Sequence, residues 1–220
     1  SASYFFVGSE APVQGVRPTY YYDYDGSVPN LSRIAKVFEW LQLPAEDRPQ
    51  MITLYFSDMD DTGHRFGPSN DAELKKTLTR LDRELGALFE GLKSFEEEIH
   101  VILVSDHGMA NVKKEQLINL DQLTQGIEAR VVNNGALAHL HLKNPSEIEK
   151  VIKQLKERSE DITIDDLQTN ENYTDISKFP QRVGDLVILP RLGYYLADER
   201  GMVRYQNNSA RFKTNVFGEH

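Results

Sequence analysis

The sequence predicts an α/β protein, a mostly parallel sheet with flanking helices, followed by a small α+β subdomain. Three features carry this reading. Met51 to Ser57 and Ile99 to Ser105 are short apolar runs rich in β-branched residues, each of which drops into a polar segment. Between them Leu74, Leu78, Leu81, Leu85, Leu88 and Leu92 recur at alternating spacings of four and three, the stripe of a helix burying one face. Strand, helix and strand in that order favour parallel pairing of the two strands through a right-handed crossover. Both carboxyl ends then open on the same sheet edge, where open α/β sheets bind ligands.

The elements follow in order along the chain. Residues 1 to 26 are rich in Tyr, Gly and Pro and read as an irregular aromatic segment. A helix is expected from Ser27, a capping residue, with Pro29 near its first turn and Leu31, Ile34, Phe38 and Leu41 on its packing face. The strand, the long helix from about Asp71 to Ser94 and the second strand complete the α/β core, expected over residues 1–130 and 201–220. In the subdomain, expected over 131–200, Ala136 to Leu142 alternates as a half-buried strand, Pro145 to Glu157 suits a helix, and Asp185 to Leu189 reads as a strand. Gly201 to His220 is polar and reads as an irregular segment.

Composition narrows the function. The 220 residues carry a net charge of -9, with 40% hydrophobic and 27% charged residues, an ordinary globular balance. That charge, without any long Lys/Arg cluster, argues against a surface for nucleic-acid polymers. A small phosphate ester stays compatible, because a metal ion can supply local positive charge. No apolar run approaches the roughly 20 residues that span a bilayer. The absence of cysteine excludes disulfides and thiolate ligands and fits a cytoplasmic or a periplasmic address.

The tips of the two apolar runs carry the chemistry. Asp60 and His64 flank Asp61, Thr62 and Gly63, and a carboxylate and an imidazole four residues apart on a loop can chelate one ion, though a turn or capping Asp has the same look. Asp106-His107-Gly108 directly follows the second run, where Gly108 permits the turn that aims both side chains into a crevice, against the simpler reading of a capping Asp beside a surface His. Both pairs at equivalent strand ends point to a metal site. His139 and His141 share one face of an alternating strand and read as a solvated face, and His100 reads as surface. Tyr4, Tyr20 to Tyr22 and Tyr24 suit either packing or stacking on a base or sugar.

At these residues the chain resembles the nucleotide pyrophosphatase/phosphodiesterase family of the alkaline phosphatase superfamily. The match includes Gly8-Ser9-Glu10, Pro18-Thr19-Tyr20-Tyr21, Ser27-Val28-Pro29, the run from Asp60 to Pro68, Asp106-His107-Gly108-Met109 and Gly218-Glu219-His220, in the family's order and approximate spacing. The resemblance implies an incomplete alkaline phosphatase-like core. It implies Asp60, His64 and His220 as ligands of one zinc, and Asp106 and His107 as ligands of a second. It implies Tyr55 and Tyr24 as the tyrosines that meet the substrate, Tyr55 by stacking on a nucleobase or other leaving-group portion. Two departures, Met59 for a common Pro and Phe6-Val7 for a common Trp-Pro pair, leave the ligands in place and bear on nucleotide specificity.

The implied reaction is hydrolysis of a phosphodiester or pyrophosphate through a covalent phosphothreonine and two zinc ions. In the family, the threonine, a further Asp ligand and an Asn come from a segment upstream of the residues matched here. The expectation is therefore a carboxyl-terminal portion of a catalytic domain that binds at most one zinc well, is inactive alone, and self-associates through an exposed apolar sheet edge. A periplasmic or extracellular address is implied by the same resemblance. Related hydrolases of sulfate, phosphonate or phospholipid esters, and a noncatalytic metal-binding module, are the alternative readings.

Overall fold

The computed structural model describes residues 1–167, 180–206 and 216–220. They form two compact units, Ser1–Thr62 with Ala72–Val104, and Gly63–Asp71 with Ser105–His220.

The first unit contains three short parallel strands, β1 (Ala2–Tyr4), β2 (Tyr20–Tyr22) and β3 (Ile52–Leu54), in the order β2-β1-β3. The aromatic segment before residue 26 thus contributes two short strands to the sheet and is otherwise irregular. Strands of three residues hold because Tyr4, Tyr20 and Tyr22 pack against Trp40 with ring centroids 6.0, 6.1 and 6.1 Å away. Trp40 belongs to α1 (Asn30–Leu41), which starts later than expected. The Ser27 amide and hydroxyl both donate to Asp25 Oδ1, at 2.9 and 2.6 Å, so Ser27 closes an Asx turn and Pro29 takes the capping position. The buried face of α1 is Asn30, Arg33, Ile34, Val37 and Trp40, whereas Leu31 is exposed.

α2 (Asp58–Phe66) and α3 (Asp71–Leu92) follow. The leucine stripe of α3 packs as expected at Leu81, Leu85, Leu88 and Leu92. Leu78 instead faces water, and the buried residue beside it is Thr77, whose hydroxyl lies 2.9 Å from that of Thr62.

The run Ile99 to Ser105 forms no strand. Val101, Ile102, Leu103 and Val104 are 46, 85, 68 and 73% exposed, and β3 pairs with β1 in place of this run. Apolar residues on both faces are the pattern of a strand covered on both sides. Such a pattern signals the need for neighbours and cannot supply them.

The second unit contains β4 (Ala110–Lys113), β5 (Leu117–Asn119), α4 (Leu120–Leu123), β6 (Ala129–Asn133), β7 (Ala138–Leu142), α5 (Ile148–Arg158), β8 (Ile162–Asp166), α6 (Pro180–Val183), β9 (Leu186–Pro190), β10 (Tyr195–Ala197), α7 (Glu199–Gln206) and β11 (Val216–Glu219). An antiparallel sheet in the order β6-β7-β9-β8 forms its main core with α5, centred on Leu140, Leu155, Leu186, Ile188 and Leu196. β7, α5 and β9 match the strands and helix expected from alternation and periodicity. β10 runs parallel to β5, and β11 antiparallel to β4. The expectation of an irregular segment from Gly201 is corrected by α7 and β11; residues 207–215 lie outside the described residues. The ladder that makes β11 a strand pairs Val216 with Lys113, a partner far away in sequence that local pattern cannot reveal.

Leu140 is fully buried at the centre of its sheet, so Leu140→Ala should cost about 3 kcal/mol, whereas Leu78→Ala should change stability by less than about 0.5 kcal/mol. Urea unfolding of both variants measures the contrast.

Candidate functional site

Asp60 and His64 lie on a helix and not on a loop. Asp58, Asp60 and Asp61 occupy the first turn of α2, where carboxylates favour helix formation against the dipole. The spacing of four therefore puts Asp60 and His64 on one helical face, one turn apart. The boundary between the two compact units falls within this helix, after Thr62.

Within the second unit, three histidines from distant segments converge. The His107 and His220 rings stack with centroids 3.6 Å apart and planes at 25°, and the His64 ring lies 5.1 Å from that of His220. Strand register explains the meeting. β11 pairs Glu219 with Ala110, so His220 emerges beside the segment that follows His107.

Hydrogen bonds set the ring tautomers. His64 Nδ1 lies 2.7 Å from the Gly218 carbonyl oxygen, which can only accept, so Nδ1 carries the proton and Nε2 keeps its lone pair. His107 Nδ1 lies 3.0 Å from the Gly108 carbonyl, with the same consequence. An imidazole whose Nδ1 proton is held by a carbonyl is oriented for metal ligation through Nε2. Glu219 adds a carboxylate oxygen 3.6 Å from His64 Nδ1 and accepts a 3.1 Å hydrogen bond from the Tyr205 hydroxyl. Burial and, next, the Glu219 charge push the Tyr205 phenol far above its ordinary range, so it stays a donor.

Two glycines permit the close crossing of α2 and β11. A Cβ on Gly63 would strike Met109 Sδ; one on Gly218 would strike the same sulfur and sit 2.6 Å from the Gly63 carbonyl oxygen. Neither glycine has a left-handed backbone, so the constraint is space.

Asp106 behaves differently from His107. Its side chain is 55% exposed and turns back on its neighbour, with Oδ1 accepting from the His107 amide at 3.1 Å and Oδ2 at 3.5 Å from His107 Nε2. The remaining histidines are engaged elsewhere. His139 Nδ1 donates to the Val183 carbonyl at 2.8 Å, and His141 Nε2 accepts from Arg130 at 2.8 Å. Partial burial and the Arg130 charge lower the His141 pKa, which keeps its ring neutral. His100 is an exposed neighbour of Glu98.

In the first unit Tyr24 and Tyr55 meet edge to face at 6.3 Å, and Tyr24 also meets Phe5 at 5.6 Å. Tyr24 is exposed and Phe5 buried, so the three rings form an edge-to-face cluster whose outer member is Tyr24. Tyr205, Met109 and Phe5 have supporting places that the sequence did not mark. The short motifs around Gly63 and Gly218 were the only signals of the crossing.

The family model for type I phosphodiesterase / nucleotide pyrophosphatase matches residues 1–215. The chain belongs to this family. It is 41% identical over 119 residues to venom phosphodiesterase CdcPDE of Crotalus durissus collilineatus, an alignment covering 53% of this chain and 14% of that protein. It is 38% identical over 142 residues to ectonucleotide pyrophosphatase/phosphodiesterase family member 1 of Mus musculus, covering 64% and 16%. Among solved structures, murine ectonucleotide pyrophosphatase / phosphodiesterase 5 superposes with a TM-score of 0.79 at 25% identity, over 100% of this chain and 55% of that one. The chain thus spans about half of that solved relative and a much smaller share of the curated ones. Its α/β architecture is that of an incomplete alkaline phosphatase-like domain.

Because a backbone carbonyl blocks a side chain at position 218, Gly218→Ala should destabilise the protein by about 1–3 kcal/mol. Gly86→Ala, in open space on α3, should instead stabilise it by about 0.4–1 kcal/mol. Denaturant titration compares the two.

Proposed function

We propose that this chain carries metal ligands and a substrate-binding aromatic cluster of a zinc-dependent hydrolase acting on phosphodiester or pyrophosphate bonds of nucleotides or related esters. The observation that carries the reading is the convergence of His64, His107 and His220 from three segments, with His64 and His107 both protonated at Nδ1. Such a donor set fits a borderline-soft ion that favours imidazole nitrogen.

In this reading Asp60, His64 and His220 would hold one zinc, and Asp106 and His107 would contribute to a second. Bound zinc would supply Lewis-acid stabilisation of the phosphoryl oxygens, while a threonine, as in the family, would form the covalent phospho-enzyme. The residues of this chain bind and orient. Gly218 holds the His64 proton away from the ion, Glu219 and Tyr205 brace that ring, and Tyr24 and Tyr55 would stack on a nucleobase.

The exposed, self-directed Asp106 supports a narrower statement, that the isolated chain holds one zinc well and turns over little substrate. The same feature favours, as the second reading, a metal-binding module without turnover. The names of the venom and ectonucleotide relatives support an extracellular or periplasmic address. Among the described residues no helix is long and apolar enough to cross a membrane.

Zinc-loaded protein should retain about one ion per chain by elemental analysis after desalting, and His64→Ala should lose most of it. Two retained ions, or robust turnover of a nitrophenyl nucleotide ester by the chain alone, overturn the one-ion reading. No retained zinc overturns the metal reading altogether.

The exposed Val101 to Val104 run, uncharged and without a ladder partner among the described residues, supports self-association through strand pairing with a second copy. Light scattering should show a mass that rises with concentration, and Ile102→Lys should hold the chain as a monomer; a parent chain that stays monomeric refutes this.

A further inference from the structure

We propose that Arg33 is a positioning residue that holds the aromatic cluster in a base-receiving arrangement; the proposal rests on the nucleotide-hydrolase reading above. Arg33 lies on α1 and is 2% exposed, an expensive place for a charge that cannot be neutralised. Among the described residues no carboxylate stands within ion-pair distance of it. The guanidinium instead serves three segments that border the cluster. Nε donates to the Val28 carbonyl at 3.1 Å, Nη1 donates to the Tyr55 carbonyl at 3.0 Å, and the group stands 5.0 Å from the Phe5 ring centroid. The first two bonds join the turn before α1 to the residue just beyond β3. The third contact reaches the residue just beyond β1.

Phe5 shows why this clamp matters. Its φ is 61°, in the left-handed region, where a bulky residue pays roughly 1–2 kcal/mol. Such a backbone persists only when its surroundings over-determine it. Here the surroundings are the Tyr4 ring at 4.6 Å, the Tyr24 ring at 5.6 Å and the Arg33 cation over the ring, with Phe5 itself 5% exposed. The structure therefore links three things through one buried side chain: the Tyr55 backbone, the strained Phe5 backbone and, through Phe5, the Tyr24 ring. A structural salt bridge would not need that geometry. Lysine cannot replace it, because one ammonium lacks the planar fork that reaches two carbonyls while lying over a ring.

The consequence is specific to the base. Loosening the clamp should weaken stacking without touching the histidines that would meet the phosphate. The probes are adenosine, which presents a base without a phosphate, and ribose 5-phosphate, which presents the reverse, each titrated into the zinc-loaded chain by calorimetry and saturation-transfer NMR. The parent chain should bind both, with saturation reaching the adenine protons. Arg33→Lys should weaken adenosine about tenfold and leave ribose 5-phosphate unchanged. Arg33→Met should do the same, and if it fails to fold, Arg33→Lys carries the test alone, its fold checked by far-ultraviolet circular dichroism. Parental adenosine affinity in a folded Arg33→Lys overturns the positioning role while leaving the nucleotide reading standing. An equal loss for both probes also overturns it, because that is the signature of general destabilisation. A parent chain that binds ribose 5-phosphate but not adenosine overturns the nucleotide reading and the proposal with it.

Discussion

The hydrogen bond from His64 to the Gly218 carbonyl is the constraint on which the histidine group depends. It settles the His64 tautomer and fixes the distance at which β11 crosses α2, and so the place at which His220 leaves the strand. One such bond contributes only about 1 kcal/mol net, far too little to hold β11 in place by itself. The docking is therefore shared. The β11 to β4 ladder sets the register, Glu219 is tied to Tyr205, and two glycines leave room for Met109 between the crossing backbones. Each of these would be weak alone, and together they hold a ring orientation.

Local pattern recovered the elements that are stabilised locally. The leucines of α3, the alternation of β7 and the amphipathic α5 were readable because one face of each meets a core and the other meets water. The places where pattern misled have a common cause. β1 and β2 are too short to show any period and exist because their aromatic side chains find Trp40. β11 exists because its partner is β4. Conversely, the run from Ile99 to Ser105 has the composition of a strand and lacks a ladder, since composition records a demand for partners and not their presence.

The site was legible to a different degree. Aspartate and histidine at two strand ends raised a metal site from the residues alone, and the family's motifs added His220, Tyr55 and Tyr24. What the motifs could not show was support: the tautomer of His64, the protonated Tyr205 behind Glu219 and the crowding that forbids a side chain at Gly218. The setting of one pair was misread, since Asp60 and His64 lie on a helix, where a spacing of four is a spacing of one turn.

Asp106 and His107 are adjacent, yet their order has different sources. The His107 ring is placed by a long-range stack on His220, whereas among the described residues the Asp106 carboxylate is held by its neighbour His107 and stays exposed. One residue before this pair the backbone carries four exposed apolar residues, Val101 to Val104, outside any ladder among the described residues. A strand neighbour to that run would restrict the backbone leading into Asp106 and lower the entropy cost of holding its carboxylate on an ion. Binding of an ion through Asp106 would reciprocally favour the paired run, because two events that each order the same segment are linked in free energy. Under the proposed two-zinc reading, strand pairing and occupancy of the second metal position would then be one equilibrium, and a chain with every histidine in place would hold its first ion better than its second.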